Sequence, residues 1–352
     1  MSNFRYLTSG ESHGKCLTAI IEGLPSGLCV DLNFINEELK RRQGGMGRGE
    51  RQKIESDKIE VTSGLRFGKT IGSPLTLVIY NRDYENWKKI MSVNPEDENC
   101  EKSFSIPRPG HADYVGAKKY AHDDLRNVLE RASARKTAAD VAVGAIAKLF
   151  LKEFGIIWDS KILQIGSAQS ETDFLNEIET AKQSGDTLGG KFEIIFKKLP
   201  LGLGSYVHYD RMIDGKLAQA VMSIPAIKAV SFGEGENAYK IPGSKFHDEI
   251  FIENGKIYHK TNNAGGIEGG MTNGEDLIIK AVMKPIPTVM QSLNSVDLKS
   301  YDSQKAHFER SDTCAVEACS VVAESRIATV LADEILIKFG GDSLDEIKSR
   351  IK

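Results

Sequence analysis

Residues 108–136 read RPGHADYVGAKKYAHDDLRNVLERASARK, and the rest of the chain is organised around them. The first third is a Pro-Gly turn that carries Arg108 and His111, and the last third carries Arg131 and Arg135. The run that follows is small and aliphatic nearly all round, which is typical of a helix buried on several sides. The stretch therefore predicts a central helix with cationic side chains at its N-terminal end, where anions are favoured.

The composition is that of an ordinary globular protein, with 40% hydrophobic and 27% charged residues among 352. A net charge of −3 argues against a general nucleic-acid binder, which carries a basic field. Five cysteines without a CxxC pair argue against a disulfide framework and a zinc site, and they predict a reducing cytoplasm. No apolar run approaches about 18 residues and no signal-peptide pattern opens the chain, so we expect no membrane span and no export.

A second run of small and aliphatic residues, 315–339, follows a turn that holds Arg310 and Asp312. The two runs predict buried helices that pack side by side, either as an internal duplication or as two unrelated helices. Because no linker divides the chain, we expect a single domain over residues 1–352. Two polar stretches, 92–104 and 169–191, are interpreted as surface insertions.

Short alternating or β-branched runs between glycine-rich turns predict strands at 4–8, 16–22, 75–80, 191–195 and 277–282. The strands and helices occur in blocks without a regular βαβ rhythm. This order favours an α+β fold over a doubly wound parallel sheet.

Two glycine-flanked segments near the N-terminus carry side chains suited to anions and protons. In the segment 10–14, GESHG, glycines let Ser12 and His13 approach a ligand, although a plain polar turn explains the same five residues. In the segment 41–51, RRQGGMGRGER, Arg42 and Arg48 stand in a loop of the kind that wraps phosphate or carboxylate. An RNA-binding loop and a solvated charged loop are the alternatives for this segment.

The C-terminal half adds a glycine loop, NNAGGIEGGMTNG at 262–274, followed by KPIPT at 284–288. Asn and Gly permit close approach to a flat ligand, and Lys284 with Thr288 suits a phosphate, although ordinary tight turns explain these segments too. No dinucleotide fingerprint and no Walker A sequence occurs. The residues together indicate a pocket for a small polyanion and a flat cofactor with proton transfer, and they leave the substrate open.

The chain resembles the chorismate synthase family through seven segments in a fixed order. These are GESHG at 10–14, RRQGGMGRGER at 41–51, RPGHADY at 108–114, RASAR at 131–135, NNAGGIEGGMTNG at 262–274, KPIPT at 284–288 and ERSDTCAV at 309–316. The resemblance implies a lyase that converts 5-enolpyruvylshikimate 3-phosphate into chorismate and phosphate with reduced FMN. It also implies a homotetramer of α+β sandwiches, in which antiparallel sheets enclose a core of helices.

The resemblance assigns a role to each matching position. Proton transfer falls to His13 and His111, with a relay of Ser12 and Asp312. Substrate binding falls to Arg42, Arg48, Arg108 and Arg135. The first two of these also match the family's positions for the reducing nucleotide, NADPH. FMN binding falls to Arg131, Ala132, Ser133, Pro225, Ala226, Gly269, Lys284, Pro285, Ile286, Pro287, Thr288 and Arg310.

Three positions depart from the family pattern, namely Glu50, Lys136 and Glu317. We hypothesise that Lys136 and Glu317 form a pair with swapped charges beside the flavin. Because no nucleotide fingerprint is present, we expect the chain to depend on an outside reductant such as a separate flavin reductase. A flavin reductase that uses NAD(P)H directly and a non-catalytic RNA-binding protein are the alternatives from other functional classes.

Overall fold

The computed structural model describes residues 3–48, 57–99, 101–291, 293–306 and 312–351. Within these ranges the helices are α1 Leu32–Gln43, α2 Asp113–Tyr120, α3 Arg126–Ala132, α4 Thr137–Lys152, α5 Glu171–Ser184, α6 Ile213–Met222, α7 Gly243–Phe246, α8 Val316–Phe339 and α9 Leu344–Arg350. The strands are β1 Arg5–Ser9, β2 Cys16–Glu22, β3 Ile59–Ser63, β4 Leu65–Arg66, β5 Lys69–Thr70, β6 Leu75–Tyr80, β7 Ile157–Ile165, β8 Gly190–Lys197, β9 Ile227–Phe232, β10 Ile250–Glu253, β11 Lys256–His259, β12 Ile267–Glu268, β13 Met271–Thr272, β14 Leu277–Met283, β15 Asn294–Val296 and β16 Ser303–Lys305.

Two four-stranded antiparallel sheets form the outer layers of the described chain. Their strand orders are β1-β2-β6-β3 and β7-β8-β14-β9. In β14 the residues alternate strictly between buried and half-buried, so that Leu277, Ile279 and Ala281 share one inward face. Such alternation is expected of antiparallel strands that cover a core on one side only.

The helices α4 and α8 form the middle of the molecule. Helix α4 is buried from residue 137 to residue 151 and packs against β2 and β6, whereas α8 packs against β7 and β8. The two helices also touch each other, and a Cβ built on Gly144 would lie only 2.2 Å from the Cβ of Ser325. The predicted α+β fold, with antiparallel sheets around buried helices, is confirmed.

A network of charged side chains is enclosed where α1, α4 and α8 meet. The fully buried ammonium of Lys148 lies 2.5 Å from a carboxylate oxygen of Glu38 and 2.5 Å from one of Glu324. Arg41 contacts both carboxylates, at 2.6 and 2.9 Å, and Ser160 donates to Glu324 at 2.6 Å. Two cations therefore balance two anions, which a buried network requires.

The stretch 169–191 differs from its interpretation as a surface insertion. It contains α5, whose side chains Phe174, Ile178 and Ala181 are buried. Their spacing of four and three residues places them on one helical face, which packs inward. None of the helices in the described ranges has the length and apolar character needed to cross a bilayer.

Candidate active site

A cavity of about 250 Å³ lies where four of the predicted segments converge. The loop after β1, the end of α1, the turn between α3 and α4, and the start of α8 surround it. Among the described residues its lining is Ser12, His13, Arg42, Arg48, Ser133, Ala134, Arg135, Thr137, Ile224, Pro225, Met283, Asp312, Ala315, Ala318, Cys319 and Val322. Side chains more than 300 positions apart in the sequence thus share one cavity.

His13 is held by a carboxylate and by an indole ring. Its Nδ1 lies 2.9 Å from Oε1 of Glu130, and its backbone N–H donates to Oε2 of the same residue at 2.8 Å. The imidazole stacks on Trp87 with ring centroids 3.7 Å apart and an angle of 21° between the planes. Because an ionised carboxylate only accepts hydrogen bonds, Nδ1 is the nitrogen that carries the proton in this contact.

Helix α3, which carries Glu130 and Arg131, also anchors the backbone that leads into His13. The carbonyl oxygen of Glu130 accepts from the N–H of Ser12 at 2.8 Å. Arg131 donates to the carbonyl oxygens of Gly10 and Thr8 at 2.9 and 2.7 Å. At Gly10, φ is +102° and a Cβ would approach the carbonyl oxygen of Cys16 to 2.3 Å, so the turn needs glycine here.

The arginines of the cavity are oriented by fixed polar partners. Arg135 donates to Asp57 at 2.7 Å and, through two nitrogens, to the side-chain oxygen of Asn81 at 3.0 and 2.7 Å. Arg42 donates to the hydroxyl of Thr137 at 2.8 Å. These contacts hold the guanidinium groups in place before a ligand arrives.

An ion pair between residues far apart in the sequence lies in the lining of the cavity. Arg48 lies 2.7 Å from a carboxylate oxygen of Asp312, and both side chains are mostly covered. Cys319, which lines the same cavity, is buried so completely that its pKa rises to about 12. A thiol in that state is protonated and inert, so among the described lining residues proton chemistry falls to the imidazole of His13 and the carboxylate of Asp312.

His111 belongs to a second cluster, built from its own turn and from the segment 284–288. Its Nδ1 contacts Oδ1 of Asp113 at 2.5 Å, and Nε of Arg108 donates to Oδ2 of Asp113 at 2.8 Å. Arg108 also donates to the hydroxyl of Thr288 at 3.3 Å, and Lys284 donates to the carbonyl oxygen of Gly110. Both predicted histidines therefore have a carboxylate at Nδ1, which leaves Nε2 for other partners.

Asp113 is ionised in this cluster. Its burial acts to raise the pKa of the carboxyl, but the hydrogen bonds from His111 and Arg108 outweigh burial and hold the pKa well below its ordinary value. Arg108 also lies 3.1 Å from Nδ1 of His111. Nδ1 of His111 is closer to the anionic Asp113 than to Arg108, so Nδ1 donates its hydrogen to the carboxylate. A nitrogen that donates cannot also accept from Arg108, so the guanidinium bonds to the carboxylate and not to the ring.

Several predicted cofactor residues lie outside the lining of the cavity. The guanidinium of Arg131 is engaged with the loop after β1, as described above. Ala226 has φ +74° and its carbonyl oxygen accepts from the N–H of Lys284 at 2.9 Å, so the two predicted segments are adjacent. Gly269 lies in the turn between β12 and β13 with φ +57°. Arg310 and Glu50 fall outside the described residues.

The glycine loop at 262–274 is ordered by contacts within the protein. Asp248 accepts hydrogen bonds from the N–H groups of Asn263 and Ala264 at 2.8 and 2.9 Å. The side chain of Asn262 donates to the carbonyl oxygen of Asp276 at 2.7 Å and accepts from Gly266 at 2.7 Å. These bonds give the loop a structural role whether or not a ligand binds there.

The hypothesis of a swapped-charge pair is wrong for the described chain. Glu317 accepts a hydrogen bond from the backbone N–H of Met46 at 2.5 Å, at the glycine loop that follows α1. Burial lowers the pKa of Lys136, and the carboxylate of Asp140 partly opposes that shift. Each residue thus has its own local role.

Four residues that orient the site were missed as site residues from the sequence, namely Asp57, Asn81, Trp87 and Glu130. Glu130 directly precedes the predicted segment at 131–135, and a carboxylate beside it was the one available signal. The other three lie in stretches of ordinary composition, and only the folded chain brings them to the cavity.

The lining combines two kinds of surface. Ile224, Met283, Ala318 and Val322 give the lining apolar side chains, which suit a planar ring. The other kind of surface is cationic, with three arginines that suit phosphate or carboxylate groups. The residues present therefore fit a flat cofactor placed beside a small polyanion.

Comparisons with known proteins agree with one another over nearly the whole chain. The family model described as chorismate synthase matches residues 4–336. Chorismate synthase from Thermoanaerobacter pseudethanolicus is 56% identical over 345 residues, covering 98% of this chain and 96% of the relative. Chorismate synthase from Staphylococcus epidermidis is 47% identical over 378 residues, covering 99% and 97%. A crystal structure of chorismate synthase superposes with a TM-score of 0.79 at 40% identity, covering 99% of this chain and 96% of that one. The chain belongs to the chorismate synthase family.

Proposed function

We propose that this chain is a lyase that removes phosphate from 5-enolpyruvylshikimate 3-phosphate to give chorismate, the last common step towards the aromatic amino acids. In this anti-1,4-elimination the bond from ring carbon C3 to the phosphate oxygen breaks, and a hydrogen leaves C6. The ring gains one double bond, and there is no net oxidation. The observation that carries the proposal is the single cavity that unites His13, Ser12 and three arginines.

Substrate binding rests on Arg42, Arg48, Arg108 and Arg135, because the substrate carries a phosphate and two carboxylates. Arg135 is the best prepared of them, since Asp57 and Asn81 fix its planar group. Fixed cations also stabilise the negative charge that builds on the departing phosphate. Replacing Arg135 with Lys would keep the charge but lose the planar fork.

Proton transfer rests on His13 and His111, with Ser12 and Asp312 as a relay. Each imidazole has a carboxylate at Nδ1, so its Nε2 is the atom that gives or takes a proton. Support for the relay is that Ser12 and Asp312 both line the cavity, where Asp312 is paired with Arg48.

The flavin is FMN in its reduced form, held by the segments 131–133, 225–226 and 284–288 together with Gly269 and Arg310. When bound, reduced FMN supplies electron density to the substrate ring and takes it back within one turnover. Support for this placement comes from the apolar side chains and from Ser133 and Pro225 in the lining. NADPH is the proposed source of electrons, acting at Arg42 and Arg48 or through a separate flavin reductase.

The proposed assembly is a homotetramer located in the cytoplasm. Support for an assembly comes from the hairpin of β10 and β11, where Ile252 and Ile257 face each other across the strands. These side chains are 71% and 72% exposed in the single chain. A pair of large apolar side chains on a hairpin is expected to be covered by another chain.

The deciding experiment measures phosphate release from 5-enolpyruvylshikimate 3-phosphate without oxygen, using dithionite-reduced FMN. Oxidised FMN and the variant His111→Ala are run in parallel. We expect release with reduced FMN alone and a loss of about 10²- to 10⁴-fold in the variant. No release by folded, flavin-loaded protein would overturn the proposal. NADPH oxidation without substrate would favour a flavin reductase instead.

A further inference from the structure

Glu130 makes three contacts that converge on the two residues proposed for proton transfer. Its carbonyl oxygen accepts from Ser12, and its two carboxylate oxygens accept from the backbone N–H and from Nδ1 of His13. The side chain is 3% exposed. Arg126, one turn earlier on α3, lies 3.4 Å from Oε1 and balances the buried charge.

Glu130 holds the edge of the imidazole, and Trp87 covers one face of it. His13 lies 3.7 Å from the indole, and the ammonium of Lys102 lies 3.6 Å from the centroid of the same ring. Two groups this close to one centroid cannot share a face, so the indole is sandwiched between them. The imidazole is therefore fixed in its plane by the indole and in its rotation by Glu130.

We propose that Glu130 is the positioning residue of this site, which holds His13 with the proton on Nδ1 and thereby presents Nε2 to the cavity. Glu130 does not itself line the cavity, so it acts through His13. The proposal deepens the proposed function and rests on it for the role of His13. In other enzymes, too, a carboxylate bonded to Nδ1 of a histidine fixes which ring nitrogen carries the proton and how the ring is oriented.

The variant Glu130→Gln tests the proposal because it has one acceptor in place of two. The backbone N–H of His13 can only donate, so it takes the amide oxygen of the new side chain. The amide NH₂ then faces Nδ1, which must become an acceptor. We therefore expect the neutral ring to carry its proton on Nε2, the reverse of the native protein.

Two measurements read the result. Nitrogen-15 NMR of protein labelled at its seven histidines reports which ring nitrogen is protonated, and His13→Asn identifies the signal. Steady-state kinetics should show a kcat lower by at least about tenfold, with little change in KM for the substrate, because a misoriented histidine impairs the chemical step. The conservative variant Glu130→Asp has two acceptors, so it should keep the proton on Nδ1 and retain more activity.

Glu193→Gln is the matched control, since Glu193 on β8 is a buried carboxylate that lies 2.8 Å from Lys161 of β7 and does not line the cavity. The kcat of Glu193→Gln and its His13 signal should equal those of the native protein. A native protein with neutral His13 protonated on Nε2 would overturn the proposal, even if no variant folds. So would a Glu130→Gln protein with native tautomer and native kcat. If the native protein releases no phosphate, the proposed function fails, while the NMR measurement still decides the role of Glu130.

Discussion

At the scale of single residues, Asp113 shows how one buried charge supports both a histidine and the stability of the fold. The carboxylate is fully buried and accepts hydrogen bonds from His111, from two guanidinium nitrogens of Arg108 and from the backbone N–H of Arg108. Its folded-state pKa is lowered, with burial opposing and the two partners prevailing. A lowered pKa means that the stabilisation is present above the unfolded pKa of about 3.9 and is lost as the pH falls below it.

Asp113→Asn should therefore lower the free energy of unfolding by about 3–5 kcal/mol at pH 7, since it removes the buried anion that His111 and Arg108 share. Urea unfolding at a series of pH values measures the effect. The difference in unfolding free energy between the native protein and the variant should become smaller as the pH falls below about 4. Asp123→Asn, at an exposed carboxylate, is the control and should change stability little. A difference that is constant with pH would contradict this account.

The sequence could nominate side chains for chemistry but not all of the groups that hold them. His13 and His111 stand in glycine-bearing turns, which made them candidates, and the resemblance to the family assigned proton transfer to them. Asp57 and Asn81, which orient Arg135, lie 78 and 54 residues before it. No local pattern links residues at such separations, because the contact exists only after the sheet and α4 have packed together.

At the scale of elements, the crossing of α4 and α8 depends on a residue without a side chain. A Cβ at position 144 would stand 2.5 Å from the Cα of Ser325, a backbone atom that cannot swing aside. Gly144→Ala should therefore lower the free energy of unfolding by about 1–3 kcal/mol, despite the better helix propensity of alanine.

Thermal and urea unfolding of Gly144→Ala would check this prediction, and Gly215→Ala provides the matched control. Gly215 is also a helical glycine, but its Cβ would have no neighbour nearer than 3.9 Å. That substitution should leave stability unchanged or raise it by up to about 1 kcal/mol. Equal effects of the two substitutions would mean that the helices do not cross closely.

The buried charges between α1, α4 and α8 give a second prediction at this scale. Lys148→Met would leave Glu38 and Glu324 enclosed with Arg41 as their remaining cation, and should cost about 3–5 kcal/mol of stability. Lys161→Met removes an ion pair whose lysine is 60% exposed, and should cost about 1 kcal/mol or less. Calorimetric unfolding of both variants distinguishes a stabilising network from an incidental one.

The long apolar elements were predictable because their pattern is local. Helices α4 and α8 and strands β2, β6 and β14 all follow runs visible in the sequence. Helix α5 was missed because its three buried side chains are sparse within a polar stretch, where only the spacing of four and three residues marks an inward face.

At the scale of the whole molecule, the exposed hairpin predicts association between chains. The double variant Ile252→Lys, Ile257→Glu places opposite charges across the hairpin, so its pairing is kept while its apolar surface is lost. We expect light scattering after size-exclusion chromatography to show native chains as tetramers and the variant as smaller species. Leu175→Glu, at an exposed leucine of α5, should leave the native mass unchanged. A variant with unaltered mass would place the interface elsewhere.

The position of α8 in the chain has a consequence for synthesis on the ribosome. Helix α4 and the first sheet are complete by residue 152, yet the partner that covers α4 spans Val316–Phe339. A growing chain therefore displays the apolar surface of α4 while more than 150 further residues are made. Such surfaces attract chaperones and promote aggregation. The active site can therefore close only after α8 has left the ribosome. Slow translation of the second half of the chain lengthens the time during which α4 is uncovered.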